Sequence, residues 1–147
     1  MRFQSGKYEG KTTEEVLLKY PDWARWNTQN YREAKHSREF GALAKKFTAK
    51  PYVVECASTH CGNKATRASA YQGSGDLMFW CDGCNPGQSG AESPKLRIVK
   101  TIGDVLDHVE FTMDASRSWA RIIVRSLTEA KGLPKRVGEK QALASFR

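Results

Sequence analysis

Two cysteine pairs, Cys56-x4-Cys61 and Cys81-x2-Cys84, stand 19 residues apart and constrain this chain more than any other feature. Gly62, Gly83 and Asn85 beside them permit tight backbone turns. Between the pairs, Ala65 to Tyr71 and Asp76 to Trp80 follow a period of two around Gln72-Gly73-Ser74-Gly75. The interval therefore reads as one β-hairpin whose ends carry all four thiols. Zn²⁺ takes four soft donors at about 2.3 Å in a tetrahedron, and two turns at neighbouring strand ends present two thiolates each.

This spacing resembles a zinc ribbon, with Cys56, Cys61, Cys81 and Cys84 as the expected ligands of a structural Zn²⁺. Four thiolates close the coordination shell and leave no catalytic position. His60 adjoins Cys61 and is expected to be exposed or to lie behind the ligands. Structural disulfides are the poorer reading for a chain expected in a reducing compartment. A zinc deaminase is a poor reading, because neither Cys56-Ala57-Ser58 nor His60-Cys61-Gly62 supplies the glutamate that enzyme places two residues after its first ligand.

The flanking segments are mostly helical, which makes the expected fold class α+β. Thr12 and Glu15 form a capping-box pattern before a short helix with Val16, Leu17 and Tyr20 on its apolar face. Pro21 ends that helix and begins another, in which Trp23 and Trp26 are expected to build the core. A connecting helix is predicted from about Tyr31 to Phe47 on the Phe40, Leu43 and Phe47 repeat. Tyr52-Val53-Val54-Glu55 reads as a strand entering Cys56, Asn85 to Lys95 as a loop, and Leu96 to Lys100 as a further strand.

Helix resumes near Ile102, with Thr101 and Asp104 as cap and Val105, Leu106 and Val109 as apolar face. A longer helix is predicted from Asp114 to Lys131, burying Ala115, Trp119, Ile122, Ile123, Leu127 and Ala130 before Gly132 and Pro134 close it. The polar segment 135–147 reads as a loosely held tail. The expected organisation is a helical module over 1–50, a ribbon over 51–101, a helical part over 102–134 and that tail, sharing one modest core.

The chain has 24 Lys+Arg against 16 Asp+Glu, a formal net charge of +8. Four thiolates and one Zn²⁺ would lower this to +6, so the chain stays basic and an acidic partner is expected. Residues 1–50 hold 11 basic and 6 acidic side chains, the largest excess of any third. Lys35, Arg38, Lys45 and Lys46 mark a basic face on the connecting helix, and Arg117, Arg121 and Arg125 recur at i+4 on the last one. Arginines so spaced repel by a few tenths of a kcal/mol per pair, which suggests something acidic opposite. Lys7 and Lys11 each follow a glycine at a turn, where backbone N–H groups and ammonium groups converge on a phosphate. That turn lacks the spacing of a P-loop.

Phe3, Gly6-Lys7-Tyr8-Glu9-Gly10-Lys11, Glu15-Val16 and Pro21-Asp22-Trp23-Ala24-Arg25-Trp26 together resemble the C-terminal domain of exodeoxyribonuclease X. The resemblance covers roughly a sixth of the chain. It implies a nucleic-acid-processing context. The acidic exonuclease site of that family lies in a separate domain, so what the resemblance implies for this chain is binding and not catalysis.

The leading expectation is a non-catalytic zinc-containing protein that binds nucleic acid, DNA before RNA, with Tyr8, Tyr71, Phe79 and Trp80 as the aromatics best placed to stack on bases. The alternative is a phage- or mobile-element-borne adaptor or inhibitor that docks on a nucleic-acid-processing protein and uses zinc only structurally. A nuclease built from His60, His108, Asp76, Asp82, Asp104 and Asp107 ranks last, since these residues form no recognisable metal spacing. The longest apolar run, Leu77 to Cys81, is far short of a membrane span, and no apolar stretch follows the basic N-terminal residues. The expected compartment is the cytoplasm.

Overall fold

The structure is a computed structural model that describes residues 1–71, 73, 75–84, 96–112, 118–134 and 136–147. It is an α+β fold: six described helices accompany a three-stranded antiparallel sheet. Among the described residues no helix is long and apolar enough to cross a membrane.

The chain starts with a tight loop. Phe3 N–H donates to Lys11 O at 3.0 Å and Gly10 N–H to Phe3 O at 2.9 Å, while Gly6 and Gly10 adopt φ of 87° and 82°. Those positive angles are why glycine is needed at both places. Thr12 Oγ1 then accepts from Glu15 N–H at 3.2 Å and opens α1 (Thr13–Lys19). Pro21 is the first residue of α2 (Pro21–Asn30), as the proline rule predicts.

Helix α3 covers Lys35–Ala49 and begins later than expected. Tyr31 still caps α2 through its N–H to Asn27 O at 2.8 Å, and Ala34 is extended, so the chain turns between the helices. A buried bond from Ser37 Oγ to Asn27 Oδ1 at 3.1 Å fixes that turn. Phe40, Leu43 and Phe47 are buried as their spacing requires.

The hairpin forms as β1 (Arg67–Tyr71) and β2 (Leu77–Trp80), and β3 (Leu96–Val99) adds to the other side of β1, giving the order β2-β1-β3. Ala68 pairs with both Phe79 and Val99, and Ala70 with Leu77, so these residues share the face turned to the core. On the opposite face Trp80 Nε1 donates to Ser69 Oγ at 3.0 Å. The strand expected over Tyr52 to Glu55 is reduced to a single bridge, Glu55 with Lys64. On one side of this segment Val54 O accepts from Ala65 N–H at 3.0 Å, and on the other Val53 N–H donates to Ala130 O at 2.8 Å, so it joins the end of α5 to the stretch entering β1 and is not a strand of the sheet.

Thr101 and Asp104 form a reciprocal cap on α4 (Ile102–Thr112): Asp104 N–H donates to Thr101 Oγ1 at 3.0 Å and Thr101 N–H to Asp104 Oδ2 at 3.1 Å. Helix α5 (Trp119–Ala130) ends in a Schellman motif, with Leu133 N–H on Thr128 O, Gly132 N–H on Glu129 O and Gly132 at φ 71°. Asp114, Ala115, Arg117, the Asn85 to Lys95 loop and parts of the hairpin turn lie outside the described residues. Within α5, Ile123, Leu127 and Ala130 are buried as expected, but Ile122 is exposed and Val124 and Ala120 take its place inside.

The segment after Pro134 is not a loose tail. Glu139–Ser145 forms α6, which packs on α1, and Ala142, Ser145 and Phe146 are buried. Phe146 meets Phe47 with ring centroids 6.5 Å apart, and Arg2 pairs with Glu139 across the chain termini. The core cluster runs from Tyr8 through α1, α3, the sheet, α4 and α5 to Phe146, so all segments of the expected organisation contribute to it.

Candidate metal centre and cationic groove

The four cysteine sulfurs lie within 4.8 Å of one another, and Cys61 Sγ is 3.5 Å from Cys81 Sγ. Local backbone bonds set this up. Cys61 N–H donates to Ser58 O and Gly62 takes φ 70°, which folds the first pair into a turn. Cys84 N–H donates to Cys81 O at 3.3 Å within a short 3-10 turn, Asp82–Cys84. Cys56 N–H on Asn63 O closes the first turn, and Ala57 N–H on Phe79 O docks it against the end of β2, both at 2.8 Å.

Asp82 anchors the second turn: its Oδ1 accepts from Thr66 Oγ1 and from Arg67 Nη2, each at 2.6 Å. Those two donors hold the Asp82 carboxyl below the usual range. The cysteines themselves are electrostatically uneven. The Cys61 contact, with backbone donors at Gly83 and Cys84, draws Cys81 down to about 6, whereas Cys61 and Cys81 push Cys84 up to about 12.

Four thiolates at about 2.3 Å from one Zn²⁺ require sulfurs roughly 3.8 Å apart. The observed cluster brackets that spacing, and soft sulfur donors suit zinc or another thiophilic ion. Cys56, Cys61, Cys81 and Cys84 are thus brought together as expected, and they form a site able to hold a metal ion. They are the one group of three or more potential metal donors among the described residues.

His60 is exposed, His36 packs between Phe3 and Phe40, and His108 is fully buried, where burial and Arg97 lower its pKa. The acids named with them are dispersed. Asp82 holds the cysteine turn, Asp104 caps α4 and Asp107 pairs with Arg25 at 3.0 Å.

The basic residues separate into two surfaces. Lys7 and Lys11 from the glycine turn, Lys19 at the end of α1 and Arg121 from α5 line one recess of about 550 Å³, together with Tyr8, Tyr20, Trp23 and Trp26. Lys19 and Arg121 also line a second recess of about 320 Å³, shared with Arg125 and Arg136. The two recesses share Lys19 and Arg121 on their walls and so adjoin as one groove, whose lining among the described residues holds six cations and one acid, Asp22. Glu15 lies below and reaches Lys11 at 3.3 Å and Lys19 at 4.0 Å. Arg117 falls outside the described residues.

Lys35, Arg38, Lys45 and Lys46 lie elsewhere. They occupy the exposed side of α3, whose buried side packs on α1 and α2, and none of the four lines the groove. Arg38 is paired there with Glu33 at 2.7 Å.

The aromatics exchange the roles expected of them. Tyr8 is buried, with ring centroids 4.6 Å from Tyr20 and 4.7 Å from Trp23, and Phe79 packs 5.4 Å from Tyr52 on the core side. Tyr71 and Trp80 are half-buried. Trp26, by contrast, is 50% exposed at the edge of the groove, and Tyr31 beside it is 56% exposed. Pro21, Ala24 and Asn27 are the buried residues of α2, and Trp26 sits on the side opposite them. Lys19 was legible as the third residue of the Lys11, Glu15, Lys19 i+4 series, whereas Arg136 follows the helix stop and carries no periodic signal.

No protein-family model, curated protein or solved structure matches this chain. The reading of its function accordingly rests on the cysteine cluster and the groove.

Proposed function

We propose that this is a non-catalytic protein that binds nucleic acid, DNA in the first instance, with a structural Zn²⁺ on its four cysteines. The observation that carries the reading is the groove lined by Lys7, Lys11, Lys19, Arg121, Arg125 and Arg136, with Asp22 as its one lining acid among the described residues. Cations gathered from four parts of the chain repel one another in the free protein, and a phosphate backbone relieves that repulsion while releasing its own counterions. The resemblance of residues 3–26 to the exodeoxyribonuclease X C-terminal domain supports the same conclusion, since its Gly-Lys turn forms one wall of this groove.

Zinc fits the donor set, and four thiolates would complete its shell. Bound there, it would cross-link the turn at Cys56 and Cys61 to the end of the hairpin. Cys56, Cys61, Cys81 and Cys84 then hold the sheet to the segment leading from α3, and the groove is left to the flanking helices.

The test is a binding titration against single-stranded, duplex and branched DNA from low to moderate salt. Micromolar or tighter binding at low salt, weakening linearly in log affinity against log salt, is expected. No binding to any of these nucleic acids or to RNA at low salt would sink the reading and favour a protein-docking role.

A further inference from the structure

We infer that the groove takes a single strand, with a phosphate between Lys7, Lys11, Lys19 and Arg121 and an unpaired base stacked on Trp26. This deepens the nucleic-acid reading above and rests on it. Three observations carry it.

The cations line a recess instead of crowning a projecting element. Duplex readers insert a helix or ribbon into a major groove about 12 Å wide. Helix α5, which contributes Arg121 and Arg125, packs on α1, α2 and α4 and serves as a wall of the groove. A recess of about 550 Å³ is small beside a duplex and suits part of one strand, phosphate and base together.

Trp26 lines that same recess and is 50% exposed, although tryptophan is costly to leave in water. Its neighbours in α2 satisfy the core without it. The ring makes edge contact with Tyr31 at 6.0 Å and tilted contact with Trp23 at 6.5 Å, so it is braced between two aromatics and still open. A braced, half-open indole beside a cationic pocket is the combination single-strand binders use: charge follows the backbone and the aromatic takes a base of any sequence. A paired base is already stacked within its duplex and offers Trp26 no free face.

The two recesses also differ in their lining. Each has four cations, but the one with Arg125 and Arg136 has no aromatic residue and, among the described residues, no acid, whereas the one with Lys7 and Lys11 adds Tyr8, Tyr20, Trp23, Trp26 and Asp22. A strand lying across both would meet cations throughout and an exposed aromatic ring only in the recess that holds Trp26.

The experiment compares a 12-nucleotide oligothymidylate with a duplex of the same length, against the zinc-loaded wild-type chain, Trp26→Ala, Trp26→Phe and Arg121→Ala. The wild type is expected to bind the single strand more tightly. Trp26→Ala should weaken single-strand binding about 5- to 150-fold and leave duplex binding unchanged, and Trp26→Phe should restore most of the loss. Arg121→Ala should weaken both, since it contacts phosphate. Circular dichroism confirms that each variant is folded, as expected for exposed positions. Equal binding of the two forms, or a single-strand affinity unaffected by Trp26→Ala, overturns the single-strand assignment while leaving nucleic-acid binding intact. No binding of either form overturns both.

Discussion

Cys61 Sγ and Cys81 Sγ lie 3.5 Å apart although they are 20 positions apart in sequence. With Cys56 and Cys84 in the same cluster, the four sulfurs are spaced for one shared ion. An ion that binds only the folded chain stabilises it by an amount that grows with the logarithm of its free concentration over its dissociation constant, and structural zinc sites bind tightly, with apparent binding free energies of about 10–16 kcal/mol at neutral pH. Purified protein should therefore contain one zinc per chain. Chelation should unfold the hairpin and lower the melting temperature, and added zinc should reverse it. Cys56→Ser and Cys84→Ser should each lose the metal. A zinc-free preparation whose melting curve ignores the chelator would falsify the metal assignment.

Lys19 lines both halves of the groove, whereas Lys45 and Lys46 lie on the exposed side of α3. Removing one cation that neutralises a phosphate lowers the salt slope of binding by about 0.7 for a single strand or 0.9 for a duplex. Lys19→Ala should reduce the slope by about that amount. The double variant Lys45→Ala, Lys46→Ala should bind with a slope near that of the wild type. The reverse pattern would move the binding surface to α3.

Much of this was legible because local rules and global packing agree. The Thr12 and Thr101 caps, Pro21 at a helix start and Gly132 at a helix end are fixed by backbone groups within a few residues, and each falls where the sequence places it. The cysteine cluster was legible for a similar reason: a hairpin brings its own ends together. What was not legible depends on distant partners. The Tyr52 to Glu55 segment has strand composition but bonds to the end of α5, and Trp26 has core composition but is left outside because smaller residues suffice on the buried side of α2. The groove is of this second kind, since Lys7, Lys19 and Arg121 meet only through tertiary packing.

Phe146 illustrates the same point in the energetics. It is 6% exposed, packs against the fully buried Phe47, and belongs to a segment too polar to suggest a core contribution. Truncating a buried phenylalanine typically costs about 3–5 kcal/mol. Phe146→Ala should lower the urea midpoint by a matching amount with an unchanged slope, while Leu143→Ala, on the exposed side of α6, should shift it by no more than about 0.5 kcal/mol. Equal effects of the two would mean that α6 does not dock as described.

Lys131 tests the interior by pH. Its ammonium is buried, donates to Lys50 O at 2.6 Å, and lies 4.5 Å from the Tyr52 ring centroid and 5.0 Å from that of Phe47. Burial draws its pKa down from 10.5 to about 8. The unfolded chain consequently holds this proton more tightly than the folded one. Between about pH 8 and 10.5 the unfolded state binds more protons, so this group's contribution to stability rises with pH; below about pH 8 the full cost of the buried charge is present. Tyr52 sets the upper limit of a clean measurement, because burial pushes its hydroxyl to about 12 and its term begins to act in the opposite sense above pH 10. Lys131→Met keeps the length and the ring contacts without the charge. Its advantage over the wild type in urea denaturation should be largest near pH 7 and shrink steadily from pH 8 to 10. A difference that stays constant over that range would show that Lys131 holds its proton in the folded protein as firmly as it does in water.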